Sequence, residues 1–343
     1  MSEGVFNVVA FGRQSDIATA VAATTVFPVD AGFLGFELDR ATDSPDEDFG
    51  STSREYPGRE SHGVRWATAS LPFTGRFEDF MHVLEMHVDT IGTPTGTASP
   101  YSWVYTYDES GSLLNTALKP YTIEYGVDGS TQDEWRAVGV IADTFEFGFD
   151  ALSAPGNSMW KGTLGLVAID REANALTGTA TAPSALETME GHLTTFAEGS
   201  TSTAFGSLST LSASLKQFSI NSSVNATGRA YGSASDEAAS IGRGGKGTIE
   251  FDALIGIGST AKSDIHDIYN VSGGLATERR WRLTVDGASD NSLILDGRVR
   301  FRSVNVGDHE NERLYAVSGV YVYDSTLAGR ASFTLANSIS VIP

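Results

Sequence analysis

GRGGKGT, Gly242 to Thr248, is the stretch most like a phosphate-binding loop. Such a loop needs glycine N–H groups around the phosphates, a lysine followed by Ser or Thr, and a helix behind it. Here Gly247 follows Lys246 and a strand pattern follows the loop, so a flexible entry into a strand accounts for the glycines. Two S-x-x-K strings, Ser158 to Lys161 and Ser259 to Lys262, stand without the other elements of a serine acyl-enzyme site. His82 and His87 are five apart on one helical stretch, whereas two imidazoles share a helix face at a spacing of four. His62, His192, His266 and His309 are scattered. The run DSPDEDFG, Asp43 to Gly50, lacks the alternating oxygen ligands and distal Glu of a calcium loop and reads as a solvated charge cluster. Trp66, Trp103, Trp135, Trp160 and Trp281 could line a sugar platform, but Trp135 and Trp160 sit inside alternating strands, where core packing is the simpler role. No catalytic residue, cofactor or metal is expected.

The elements are easier to read than the chemistry. In VGVIADTFEFGFDA, Val138 to Ala151, Phe145, Phe147 and Phe149 alternate with Glu146, Gly148 and Asp150. That is the period of a strand with one dry and one wet face. LDGRVRFRSVNVGD, Leu295 to Asp308, has the same length and alternation. Ten prolines, 37 glycines and many Thr, Ser, Val and Phe residues make a β-rich composition.

The chain of 343 residues carries 43 acidic and 23 basic side chains, a net charge of −20. Such a surface repels a nucleic-acid duplex, yet is compatible with a channel through which a polyanion slides without sticking. There are no cysteines, hence no disulfides or thiolate chemistry. The start, MSEGVFNVV, lacks a basic n-region and an apolar h-region, and Ile17 to Val29, the longest mostly apolar run, is too short to span a bilayer. A soluble protein made in a cytoplasm is expected.

The sequence repeats itself. Phe36 falls on Phe218 and Gly50 on Gly232, both at a spacing of 182, with Phe49 on Tyr231 and Ser51 on Ser233. HGVRWATASLPF, from His62, then matches KGTIEFDALIGI, from Lys246. A helical stretch follows each: Phe77, Phe80, Leu84 and Val88 form one stripe, Ala261, Ile265, Ile268 and Tyr269 the other. Val127 to Gly129 matches Val285 to Gly287 and Gly139 matches Gly297, now at 158, and WKGTLGLVAID from Trp160 matches VSGVYVYDS from Val317 at 157. A polar insertion in the first copy, roughly Asp89 to Pro120, explains the change. The reading is a mainly β chain of two tandem β-sandwich or half-barrel units, each with one flanking helix and a long loop. Residues 1–171 form the first with an N-terminal arm, 172–214 an extended connector that carries a strand near Leu193 to Phe196, and 215–343 the second.

GFELDR at Gly35, GVRWATASLPFTGRFEDFMHVL, VGVIADTFEFGFDA with WKGTLGLVA, and their second-copy counterparts carry a resemblance. The pattern resembles the major tail tube proteins of long-tailed, non-contractile bacteriophages, over nearly the whole chain. The resemblance implies a virion protein whose rings stack into a tail tube, with inner sheets of neighbours joined around a channel for DNA. The arm and long loop would grip adjacent subunits. The implied partners are the chain itself, the tape measure and the tail terminator, with DNA only in transit and no membrane insertion. Most members carry one tube domain and form rings of six; two per chain imply three chains with pseudo-sixfold symmetry. Glu37, Asp39, Glu146, Asp150, Glu250 and Asp252 become candidates for the lumen or an interface, against a plain reading as solvated strand surface. Arg298, Arg300 and Arg302 become candidates for a subunit contact opposite acids, since arginines in a lumen would hold DNA. The alternative is a capsid-decoration or glycan-binding β-sandwich protein with an aromatic patch; an enzyme would need converging titratable groups.

Overall fold

The computed structural model describes residues 8–43, 61–88, 94–108, 119–127, 133–152, 158–181, 186–211, 215–229, 238, 240–243, 247–257, 262–266, 269, 278–288, 290–309 and 312–342. The protein is mainly β, with antiparallel pairings throughout its strands.

The first half holds β1 (Val8–Arg13), β2 (Thr25–Val26), β3 (Glu37–Asp43), β4 (Ser61–Thr74), helix α1 (Phe80–His87), β5 (Tyr101–Asp108), β6 (Tyr121–Gly126), β7 (Glu134–Asp150), β8 (Lys161–Ala168) and β9 (Asp170–Ala173). The second holds β10 (Thr194–Ser200), β11 (Ser209–Thr210), β12 (Leu215–Ser223), the ribbon β13 (Ala226–Arg229) and β14 (Ser240–Arg243), β15 (Ile249–Gly256), β16 (Glu278–Asp286), β17 (Ser292–His309), β18 (Glu312–Val322) and β19 (Gly329–Asn337).

One pairing scheme occurs twice. The N-terminal part of β7 lies between β6 and β9, with β1 beyond β6 and β2 beyond β1. The N-terminal part of β17 lies between β16 and β19, with β10 beyond β16 and β11 beyond β10. The C-terminal part of β7 continues the order β3–β4–β8–β7, and that of β17 continues β12–β15–β18–β17. β7 then pairs with β12, so the two four-strand blocks form one eight-strand sheet running β3–β4–β8–β7–β12–β15–β18–β17.

The long alternating strands are long because each serves two neighbourhoods in turn. Each also carries a bulge as it enters its block, at Asp143 in β7 and Arg302 in β17. A bulge turns the strand and preserves the facing of the residues beyond it.

One side of the eight-strand sheet is core. Phe145, Phe147 and Phe149 of β7 meet Leu164 of β8, Phe218 and Ile220 of β12, and Phe251 and Ala253 of β15. Phe147 stacks on Trp160 at 4.8 Å between centroids, and Phe80 of α1 lies 4.5 Å from Phe147. Burying each such ring contributes about 2–3 kcal/mol. The cluster is continuous through both halves, and Phe333 of β19 packs on Phe145 and Phe80.

The structure departs from the sequence reading in several elements. α1 is buried on every side, so its stripe is only part of its covered surface. Its polar residues are therefore matched by partners. Glu85 accepts from Arg13 at 2.7 Å and Tyr121 at 2.8 Å, and His87 bridges the Ala142 carbonyl and the Ser222 hydroxyl. Burial raises the pKa of Glu85 while Arg13 opposes it. The second helical stretch forms a π-helical turn at Lys262–His266; Ala261, Ile268 and Val271 lie outside the described residues. The polar insertion contributes β5, which pairs with β19 of the other half. The N-terminal segment from Val8 onward is a strand of the protein's own sheet, with Val9 and Phe11 buried. The strand expected in the connector near Leu193 to Phe196 is β10, and it pairs with β16 over seven residues. Most of DSPDEDFG lies outside the described residues.

Candidate assembly surface

In an antiparallel ladder, residues directly opposite each other point to the same face. That rule locates the carboxylates. One rung reads Pro72, Thr163, Glu146, Asn221, Glu250, Val320, Arg300 across seven strands. The next reads Thr74, Lys161, Gly148, Ser219, Asp252, Ser318, Ser303. Asp150 stands one step further along β7, opposite Gln217. Glu37 stands opposite Thr68 and Asp39 opposite Trp66, on the β4 residues that alternate with the core-facing Ala67 and Leu71. All six acids selected from the sequence therefore lie on one face of the eight-strand sheet, the face away from the phenylalanines. Two open clefts indent it. One of about 280 Å³ is lined by Glu146, Asn221 and Glu250, and one of about 610 Å³ by Glu146, Asp150, Lys161 and Gln217.

The three arginines share this face. Arg298 and Arg300 both pair with Glu278, and Arg302 pairs with Glu250 at 2.5 Å. The acids they lie opposite thus belong to the same chain. Arg300 and Arg302 are half exposed, and ion pairs so wet contribute only about 0.2–1 kcal/mol each. Glu278 and Lys161 are the members of this charged surface that the sequence reading missed. The alternation of WKGTLGLVA offered a signal for Lys161; nothing local marked Glu278, whose position depends on the β16–β17 register.

The remaining candidate chemistry resolves into packing. Trp103, Trp160 and Trp281 are buried, and Arg171 lies 3.7 Å over the Trp135 ring. The Ser158 hydroxyl accepts the His192 N–H at 3.1 Å. His82 contacts the Tyr121 hydroxyl at 3.2 Å, and burial holds its pKa down at about 4. Among the described residues no group of three or more His, Asp or Glu could hold a metal ion.

At the corner near β3 the polar face is covered. Val138, Ile141, Val167 and Ile169 form a small second cluster with Val224, Ala226 and Ile241 of the β13–β14 region, and Trp66 packs against it. The open polar strip is thus bounded on one side, and it runs unbroken across the β7–β12 joint.

Comparison with known proteins finds no family model that matches this chain and no matching curated protein.

Proposed function

We propose that this chain is the structural subunit of a phage tail tube, its rings stacking into an acidic channel that conducts DNA to the host cell. The observation that carries the reading is the β7–β12 joint. It links two four-strand blocks of the same strand order edge to edge, with the acids of both on one face. A sheet extended in this way by further copies curls into a closed barrel and leaves no exposed edge. Three chains, each supplying two tandem tube units, give six blocks and pseudo-sixfold symmetry. The acid face lines the lumen, where Glu146, Asp150, Glu250 and Asp252 repel the phosphate backbone wherever it approaches. The three arginines on that face are paired with Glu278 and Glu250, which offset two of their three positive charges toward DNA. Tape measure and terminator proteins are the partners at the tube's interior and end. The protein would act in the virion tail after assembly in the bacterial cytoplasm, with no catalytic step.

Electron microscopy of the concentrated protein tests this. Rings or tubes about 100 Å wide, the size set by six units of roughly 170 residues, are the expected result. A population of solitary particles across a range of salt and protein concentration would overturn it.

A further inference from the structure

The internal joint has two unmatched counterparts. Along β12, one edge pairs with β15 and the other with β7. β3, its equivalent in the first half, pairs with β4 alone among the described residues. Along the C-terminal part of β7, one edge pairs with β8 and the other with β12. The equivalent part of β17 pairs with β18, and from Phe301 onward no described strand lies on its other edge. The Arg302 carbonyl at the bulge accepts from Tyr269 at 2.7 Å, so the open run begins at Ser303.

The side chains on these edges match the joint in kind. At the joint Phe147 stands opposite Ile220, and both are fully buried, at 1% and 0% exposure. Followed outward from the bulges, Ala142, Leu166 and Ala69 stand in one row and Phe301, Gly319 and Phe251 in the other, so the β3–β4 register gives Phe36 the place of Ile220, Glu37 that of Asn221 and Leu38 that of Ser222. Leu38 is 46% exposed. Aligned on their bulges, β7 and β17 put Val306 in the place of Phe147, and Val306 is 53% exposed. The same alignment sets Asn305 opposite Glu37, an amide facing an acid, as Asn221 faces Glu146 at the joint. It sets Gly307 in the place of Gly148. A Cβ on Gly148 would lie 2.2 Å from the Phe218 carbonyl oxygen, whereas one on Gly307 would meet nothing within 4 Å.

We infer that the outer edge of β17 in one copy pairs antiparallel with the outer edge of β3 in a second copy, Asn305 opposite Glu37 and Val304 opposite Leu38, repeating the β7–β12 joint between chains. The contact is heterologous: two different edges meet, and among the described residues each chain keeps one of each kind free. Such contacts close into rings when the rotation per chain allows and otherwise run on as open filaments. The inference rests on the tube reading only for closure at three chains; the pairing itself stands on the strand ladder and the two exposed apolar residues.

The chain has no cysteine, so introduced thiols report alone. Glu37→Cys and Asn305→Cys are made as separate variants, mixed under conditions of assembly and gently oxidised. Directly opposite residues on paired strands come within disulfide reach. The expected result is a dimer band from the mixture and only monomer from either variant alone. The double variant Glu37→Cys with Asn305→Cys should give a ladder that stops at three chains. Both positions are exposed, so each variant should melt within a degree or two of the parent. A mixture without a dimer, or one variant linking to itself, overturns the pairing. Cross-linked species without tubes in the microscope overturn the tube and leave the pairing intact; tubes without the cross-link do the reverse.

Discussion

Both carboxylate oxygens of Asp79 are buried, and neither has a hydrogen-bond partner. The residue precedes α1 at the N-cap position but makes no side-chain cap. Burial pushes its pKa up to about 7, with Arg76 opposing and the neighbouring Glu78 adding to the rise. The folded chain therefore holds a proton that the unfolded chain releases near pH 4. Stability contributed by this group is highest at acid pH and falls as pH rises toward about 7. His82, one turn on, acts in the opposite sense, because the unfolded chain gains a proton below about pH 6.5 that the buried ring accepts only near pH 4. Asp79→Asn separates the two. Relative to the parent, the variant should gain about 2–4 kcal/mol at pH 8 and almost nothing at pH 4. In the variant His82 should lower stability as pH drops below about 6.5, against the opposite effect of Glu85 and Glu78, whose pKa values burial raises. Urea midpoints at pH 4, 6 and 8 measure this. A gain that does not vary with pH would mean that Asp79 is not protonated in the folded state.

At the scale of elements, the two equivalent glycines separate folding from association. Gly148→Val drives a side chain into the β12 backbone at the internal joint and should cost about 3 kcal/mol of unfolding free energy. Gly307→Val meets open space and should change monomer stability by less than about 0.5 kcal/mol. It should nonetheless stop assembly, because a neighbouring β3 would stand where β12 stands against Gly148. Chemical melts with light scattering read both effects, and Gly307→Val tubes of normal yield would show that edge to be idle. The alternation that made β7 and β17 legible as strands is local, so the sequence carried it. The 182-residue spacing of Phe36 and Phe218 slips by two, since the rows that leave the bulges set Ala69 level with Phe251 and so give Phe36 the place of Ile220. The spacing of 157 for the following strand slips too. On the bulge alignment the ladders place Gly162 opposite Phe147 and Tyr315 opposite Val306, a spacing of 153. The irregularity at Gly139, with φ of +65°, and the bulges at Asp143 and Arg302 change the residue count, and each bulge shows in the sequence only as a slip in the alternation, core residues standing three apart at Ala142 and Phe145 and at Phe301 and Val304. β5 could have been found, because Tyr101, Trp103, Tyr105 and Tyr107 alternate inside a segment that its polar flanks made look like a loop. The pairing of Glu278 with two arginines could not, because a ladder register between distant strands is fixed by the fold as a whole.

The whole molecule carries a charge of −20, and the proposed ring gathers the acid faces of its chains around one axis. Association must work against that repulsion with short-range pairing along one strand edge. Salt therefore decides how close the chains approach: charges are felt over ~30 Å at 0.01 M ionic strength and over ~10 Å at 0.1 M. Assembly should quicken several-fold between those two conditions. A protein held together mainly by ion pairs between chains would show the opposite trend. Neutralising Glu37, Asp39, Glu146 and Asp252 as Gln or Asn removes four exposed charges from the face and leaves the arginine pairs with Glu278 and Glu250 in place. This variant should assemble at low salt nearly as fast as the parent does at high salt, as followed by light scattering. Its tubes should also begin to retain short duplex DNA in a co-sedimentation assay at low salt, where the parent's tubes retain none, because the face then carries its arginines and Lys161 against fewer acids. Faster assembly of the parent at low salt would place the dominant charge contacts between subunits and not on the channel wall.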